Sequence, residues 1–366
     1  MPPVVVRILH PEPDPGSGSL TRWVADARVT VAEQHRRGFL AAGADDVAIV
    51  AGPPDDRSFG ARLRDLLRAD HGVDQPAGLV VLGSGSIPLA TVADRRAFVA
   101  VAAGADRAAL ANNRYSADVV AISRTDALPE IPDLPGDNAL PRWLEEVAGY
   151  RVDDLRRRWR LAFDIDVPLD LVLLGDRSGP FDTTVVNARL AAARTVAADR
   201  RAELLVAGRT SAGTLAWLER HAAARVRAWV EERGLRAASR LAQSLDGEAP
   251  GSRPRRTPAS VLGALLDGDG PGSLGDHLAR FADAAIIDTR VLLAHRLGAD
   301  ATAWPAAEDR FASDLLLAER ISDGWLRDLT ASAAAAPIPI VLGGHTLVGP
   351  GVRLVVGGPR RGVRWT

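Results

Sequence analysis

Phe163-Asp164-Ile165-Asp166-Val167-Pro168-Leu169-Asp170-Leu171 is the stretch on which the reading of this chain turns. Residues i and i+2 of an extended segment share a face, so Asp164 and Asp166 can aim two carboxylates at one hard cation such as Mg²⁺. The competing reading is local: an acidic residue just ahead of Pro168 can serve only to cap the helix that the proline opens.

Around this motif the chain alternates strand and helix patterns. Val4 to Leu9, Asp46 to Gly52, Gly78 to Gly83 and Val119 to Ser123 read as buried strands, with helices expected over 29–42, 59–69 and 92–103. Further helices are expected over 141–148 and from Arg151 to Trp159, and a short one over Pro168 to Leu174. Such alternation argues for an α/β protein with a mostly parallel sheet, helices on both faces, and ligands at the C-terminal ends of the strands. Gly175 to Pro180 reads as a boundary, giving expected domains 1–178 and 179–366, the second a mixed, helix-rich α/β domain. Within it, strands are expected at 203–207, 225–230 and 338–342, and helices at 183–200, 258–267, 273–297, 306–320 and 323–335. Ser244 to Pro258 reads as a mobile connection and the Arg-rich tail from Gly357 as a frayed terminus.

Composition removes several chemistries. There is no Cys, hence no disulfide, thiolate nucleophile or Cys-ligated metal. All 45 basic residues are Arg, which excludes Schiff-base chemistry and a P-loop lysine, so a phosphate clamp must use Arg, backbone N–H or metal. A net charge of −1 gives no basic field for nucleic acid. The first residues lack the pattern of a signal peptide, and no apolar run is long enough to span a membrane. The expectation is a soluble cytoplasmic protein with neither nucleic-acid nor membrane partners; the composition leaves room for a homodimer.

Gly-rich loops at strand ends are the remaining candidates. Gly16-Ser17-Gly18-Ser19-Leu20-Thr21-Arg22 follows the first strand and Ser84-Gly85-Ser86 the third, where backbone N–H groups meet phosphate or a surface loop simply turns. In the second half, Arg209 and Ser211 open a helix after a strand, as an anion site or as a plain N-cap. His345, after Gly343-Gly344, is the best general base of that half, against a structural role. Asp288, Arg290, Asp309, Arg310 and Asp314 are expected to converge on one another, as an ion-pair core or an anion pocket.

The order of features in residues 4–174 resembles the MobA-like nucleotidyltransferases, which carry a glycosyltransferase-A-like sheet. Asp164-Ile165-Asp166-Val167-Pro168-Leu169-Asp170-Leu171 is most similar to the Asp-Ile-Asp-Thr-Pro-Glu-Asp-Leu segment of phospholactate guanylyltransferases. The resemblance implies an enzyme joining an NTP to a small phosphorylated or acidic acceptor with Mg²⁺ and releasing pyrophosphate. Asp164 and Asp166 would hold the metal, Gly16, Ser17, Gly18 and Ser19 with Arg22 the triphosphate, and Ser84 and Ser86 the nucleoside or a metal-bound water. Asn112, Asn113 and Asp118 lie where the family contacts acceptor or metal, and Arg114 would hold the acceptor in place of the missing lysine. Two departures stand out: the family's lysine near the Gly loop and its metal-binding Asp after the third strand have no counterpart. Both supply charge on which phosphoryl transfer relies. The alternative is therefore a catalytically lapsed transferase fold that binds nucleotide or serves as a scaffold, with a small-molecule phosphate site in the C-terminal half.

Overall fold

The computed structural model describes residues 3–53, 57–69, 78–134, 136–176, 178–232 and 258–358. The expected connection over 244–257 and the tail beyond residue 358 lie outside them. The protein is α/β and divides into two compact units. One comprises Met1–Ser17 and Ala25–Ile165, the other Gly18–Val24 and Asp166–Arg361, each over its described residues.

The first unit is built on a six-stranded sheet of β1 (Val4–Pro11), β2 (Asp46–Gly52), β3 (Gly78–Gly83), β4 (Ala108–Ala111), β5 (Val119–Ile122) and β6 (Arg151–Asp154), in the order β2-β1-β3-β5-β4-β6. β5 runs antiparallel to its neighbours β3 and β4, while the other pairs are parallel. The helices are α1 (Ser19–Leu40, its first turns counted with the second unit), α2 (Phe59–Ala69), α3 (Val92–Ala102) and α4 (Leu140–Glu146). Successive strand residues point to opposite faces, and each face has its own core. Val6, Ile8, Val80 and Leu82 pack with Phe39 of α1 and Phe98 of α3. Leu79, Val81, Val120 and Ile122 pack with Leu63 of α2 and Leu144 of α4.

The second unit contains α5 (Pro168–Leu173), α6 (Thr184–Ala197), β7 (Glu203–Gly208), α7 (Ala212–His221), β8 (Arg225–Val230), α8 (Val261–Asp269), α9 (Leu274–Ala279), β9 (Ala284–Asp288), α10 (Thr289–Leu297), α11 (Ala307–Asp314), α12 (Gly324–Ala335), β10 (Ile340–Gly343) and α13 (Val352–Gly357). Its four strands run in the order β10-β9-β7-β8 and are all parallel rather than mixed, since each connection between them contains a helix. α6 packs against β7, β9 and β10.

Two expectations are corrected, and one strand, β4, was not expected at all. Arg151 to Trp159 is not a helix: β6 pairs with β4, and only Trp159–Ala162 turns, as a 3₁₀ segment. β4 itself reads Ala-Ala-Leu-Ala, without the β-branched residues that mark a strand. The expected helix 273–297 is interrupted by β9, whose five residues are all buried and so show neither helical nor alternating periodicity.

Phe98 is completely buried against the first of the two cores. Replacing it with Ala leaves a cavity expected to cost about 3–5 kcal/mol, read as a lower urea midpoint. A midpoint unchanged from wild type would show that this face is not a packed core.

Candidate functional site

In the first unit the strand order reverses at β1, which has β2 on one side and β3 on the other. At such a switch point the chain leaves adjacent strands in opposite directions and opens a crevice at their C-terminal ends. His10, near the end of β1, and Ser84, just after β3, meet there with His10 Nδ1 3.0 Å from Ser84 Oγ. Both are buried. Burial, aided by the nearby Arg28 guanidinium and opposed by Glu12, lowers the His10 pKa, so the imidazole is neutral at pH 7.

The motif enters this corner through backbone pairing. Ser86 and Asp164 form an antiparallel bridge, and Ile165 N donates to Gly85 O at 3.0 Å. Arg28 of α1 then donates from Nε to Ile165 O at 2.7 Å. A Cβ on Gly85 would lie 2.9 Å from Ile165 O and 3.1 Å from the Arg28 side chain, so only glycine admits this crossing. Below the loop, His35 Nε2 donates to Ser86 O at 2.7 Å, leaving Nδ1 as acceptor toward Arg95 Nη2 at 3.4 Å. Full burial and Arg95, against the Ser86 carbonyl, bring the His35 pKa down to about 3. Ile87, the next residue, is held at φ 44°, which a β-branched residue adopts only under strain of about 1–3 kcal/mol.

Thus the structure brings Ser84, Ser86 and Asp164 together and adds His10 and Arg28, which the sequence reading did not select. His10 had one usable signal, its position at the C-terminal end of the first strand. Arg28 had none, being one of many arginines on a helix.

In the second unit, burial alternates from Asp166 into Val167, and Val167 occupies the N-cap position of α5. The capping carboxylate is that of Asp170, whose Oδ2 accepts the backbone N–H groups of Asp166 and Val167 at 2.9 Å each. Asp166 is therefore not the helix cap. Its Oδ2 lies 4.0 Å from His345 Nδ1, with the two side chains 45% and 43% exposed. Two ligands each about 2.1 Å from one ion stand roughly 3–4 Å apart, so this spacing suits a shared cation.

Of the other polar residues of this unit, Arg209, Asp288, Arg290 and Asp314 come together. Arg209 pairs with Asp288 through Nε and Nη2, at 2.6 and 3.2 Å, across the ends of β7 and β9. Arg290 forks onto Asp314 with both partners buried. Burial and Asp288 raise the Asp314 pKa against the pull of Arg290 and Arg310. Asp309 instead accepts the N–H groups of Ser322 and Asp323. Ser211 caps α7, its Oγ accepting from Thr214 N at 3.2 Å.

The N-terminus of α1 holds a carboxylate of the protein itself. Glu308 of α11 accepts from Leu20 N at 2.9 Å and from Thr21 N and Oγ1 at 3.2 and 3.1 Å. A Cβ at Gly18 would fall 2.2 Å from the Glu308 carboxyl carbon. Gly18 and Ser19 thus face Glu308's end of the helix, Gly16 has open space about it, Ser17 N bonds to Asp14 O, and Arg22 is exposed.

The remaining expected residues form the turn between β4 and β5. Arg114 pairs with Glu145. Asn112 is buried, donating to Asp118 Oδ2 and Leu161 O and accepting from Asp118 N, while Asn113 accepts from Tyr115 N. This network closes the turn.

No protein-family model matches the chain, and no curated protein matches it. No helix among the described residues is long and apolar enough to cross a membrane.

The depressed His35 pKa fixes a sign. Below pH 6.5 the unfolded chain takes up a proton that the folded chain accepts only near pH 3. Stability is therefore lost as pH falls through that window, and His35→Gln should flatten the loss. Urea midpoints of wild type and variant at pH 7.5 and 4.5 measure it; an equal drop in both would contradict the assignment.

Proposed function

We propose that this protein is a nucleotidyltransferase-like enzyme joining an NTP to a small phosphorylated or acidic acceptor, on a glycosyltransferase-A-like first unit. The observation that carries the reading is the backbone pairing of the Asp164 segment to the Ser84-Gly85-Ser86 loop at the sheet's switch point. It puts a carboxylate, two hydroxyls and Arg28 at the strand ends where an α/β sheet takes its ligand. A six-stranded sheet parallel except for one strand, covered on both faces, also supports it.

In this reading Ser84, Ser86 and Arg28 face the phosphates, and Arg28 supplies the cationic charge that the sequence comparison found missing. Asp164 and Asp166 are the carboxylates that the motif assigns to the divalent cation, and within the second unit His345 stands beside Asp166. The carboxylates suit Mg²⁺, while an imidazole nitrogen shifts the preference toward Mn²⁺ or another transition-metal dication. An acceptor oxygen bonds to the α-phosphorus as the bond to the bridging oxygen breaks, and pyrophosphate leaves with its charge. When bound, the cation neutralises part of that charge. Neutral His10, hydrogen-bonded to Ser84, orients that hydroxyl.

A second reading is favoured by Glu308. A carboxylate already fills the α1 N-terminus, where the triphosphate was expected, and Arg114 is committed to Glu145. A protein that binds nucleotide without turnover fits those two facts.

With Mg²⁺ or Mn²⁺, at least one of GTP, CTP, ATP and UTP should raise the melting temperature by several degrees, and Asp166→Ala should abolish the rise. If none of the four does so and Asp166→Ala changes nothing, the transferase reading fails. Binding without pyrophosphate release in the presence of candidate acceptors selects the second reading.

A further inference from the structure

We propose that the turn Gly208-Arg209-Thr210-Ser211 in the second unit is a separate binding site for a phosphate group. The four-stranded sheet has its own switch point, between β7 and β9, and this turn leaves the C-terminal end of β7 there. Gly208 is at φ 127°, and a Cβ on it would lie 2.3 Å from Asp288 Cβ, so glycine lets the ends of β7 and β9 close together.

Three groups in the turn have donors to spare. Arg209 gives Asp288 its Nε and one Nη2 hydrogen, which leaves the outer Nη1/Nη2 edge of the fork. That edge matches two oxygens of a phosphate, and Asp288 holds the guanidinium in place for it. Thr210 is 7% exposed, and its Oγ1 is buried with no hydrogen-bond partner. A buried hydroxyl left unmatched is costly, and a ligand oxygen that accepts from it removes the cost. Ser211 caps Thr214 N alone, so the amides of Ala212 and Gly213 keep the unpaired state of a helix's first turn. Ser211, Ala212 and Gly213 are exposed, and a Cβ on Gly213 would meet nothing nearer than Ser211 Oγ at 3.8 Å, so this end of α7 is uncrowded. Guanidinium edge, hydroxyl and two amides lie within five consecutive residues, and together they supply the donors a phosphate monoester takes.

The site stands independently of the transferase reading, since none of its groups belongs to the Asp164-Asp166 motif. Isothermal titration of the full chain with inorganic phosphate and, separately, with AMP tests it. Both should bind saturably if the phosphate alone is recognised, and only AMP if it must come as an ester. Thr210→Val, which keeps the shape of the side chain, should weaken binding about tenfold at an unchanged or higher melting temperature. Arg209→Lys, which keeps Asp288 paired but loses the fork, should weaken it further, and Asp166→Ala should leave it intact. No saturable binding of either probe, binding undiminished in folded Thr210→Val, or binding lost in Asp166→Ala would each overturn the proposal.

Discussion

Two backbone contacts hold the first unit's candidate site together: the Ser86–Asp164 bridge and the Ile165-to-Gly85 hydrogen bond. They join a loop at the end of β3 to a segment about eighty residues away in sequence. Everything chemically useful there follows from them. They set Asp164 beside Ser86, just past the end of β3, and they present Ile165 O to Arg28. They also explain the local sequence, because Gly85 is needed where the chains cross and Ser86 O is fixed from below by a histidine kept neutral. Strain at Ile87 is the local cost of that loop shape, offset by the packing of a fully buried side chain.

Buried charge organises the second unit by a different logic. Arg209–Asp288 and Arg290–Asp314 are ion pairs removed from water, and such pairs add little net stability over apolar replacements. Their effect is to fix geometry at the C-terminal ends of a parallel sheet. Asp288 illustrates the point: it holds the Arg209 fork and accepts Arg290 N, so one carboxylate orients two arginines. A chain without lysine depends on such guanidinium forks wherever an anion has to be held at a defined angle.

Much of this was legible in the sequence where residue type and position agree. The strands Val4–Pro11, Gly78–Gly83 and Glu203–Gly208 announce themselves by β-branched or aliphatic runs between turn signals. The expected convergence of Arg290 and Asp314 rested on the cost of unpaired buried charge, and the structure pairs them. What stayed hidden lacked a local signature. The Ala-rich β4 and the uniformly buried β9 carry no period, and β6 begins where an Arg-rich run reads as helix. Glu308 at the start of α1 and Arg28 beside Ile165 are contacts between residues far apart in the chain, which no spacing rule reveals. At the start of α5 the N-cap position belongs to Val167 and the capping carboxylate to Asp170, four residues beyond Asp166.

The central claim is that Asp166 and its neighbours exist to hold a cation for phosphoryl chemistry. Anomalous diffraction from crystals soaked in Mn²⁺ and a nucleoside triphosphate tests it most directly. The account predicts a peak about 2.1–2.2 Å from an Asp166 carboxylate oxygen, with a phosphate oxygen completing its shell. An ordered Asp166 and His345 with no peak beside them, at a Mn²⁺ concentration that saturates known Mn²⁺ enzymes, would contradict it.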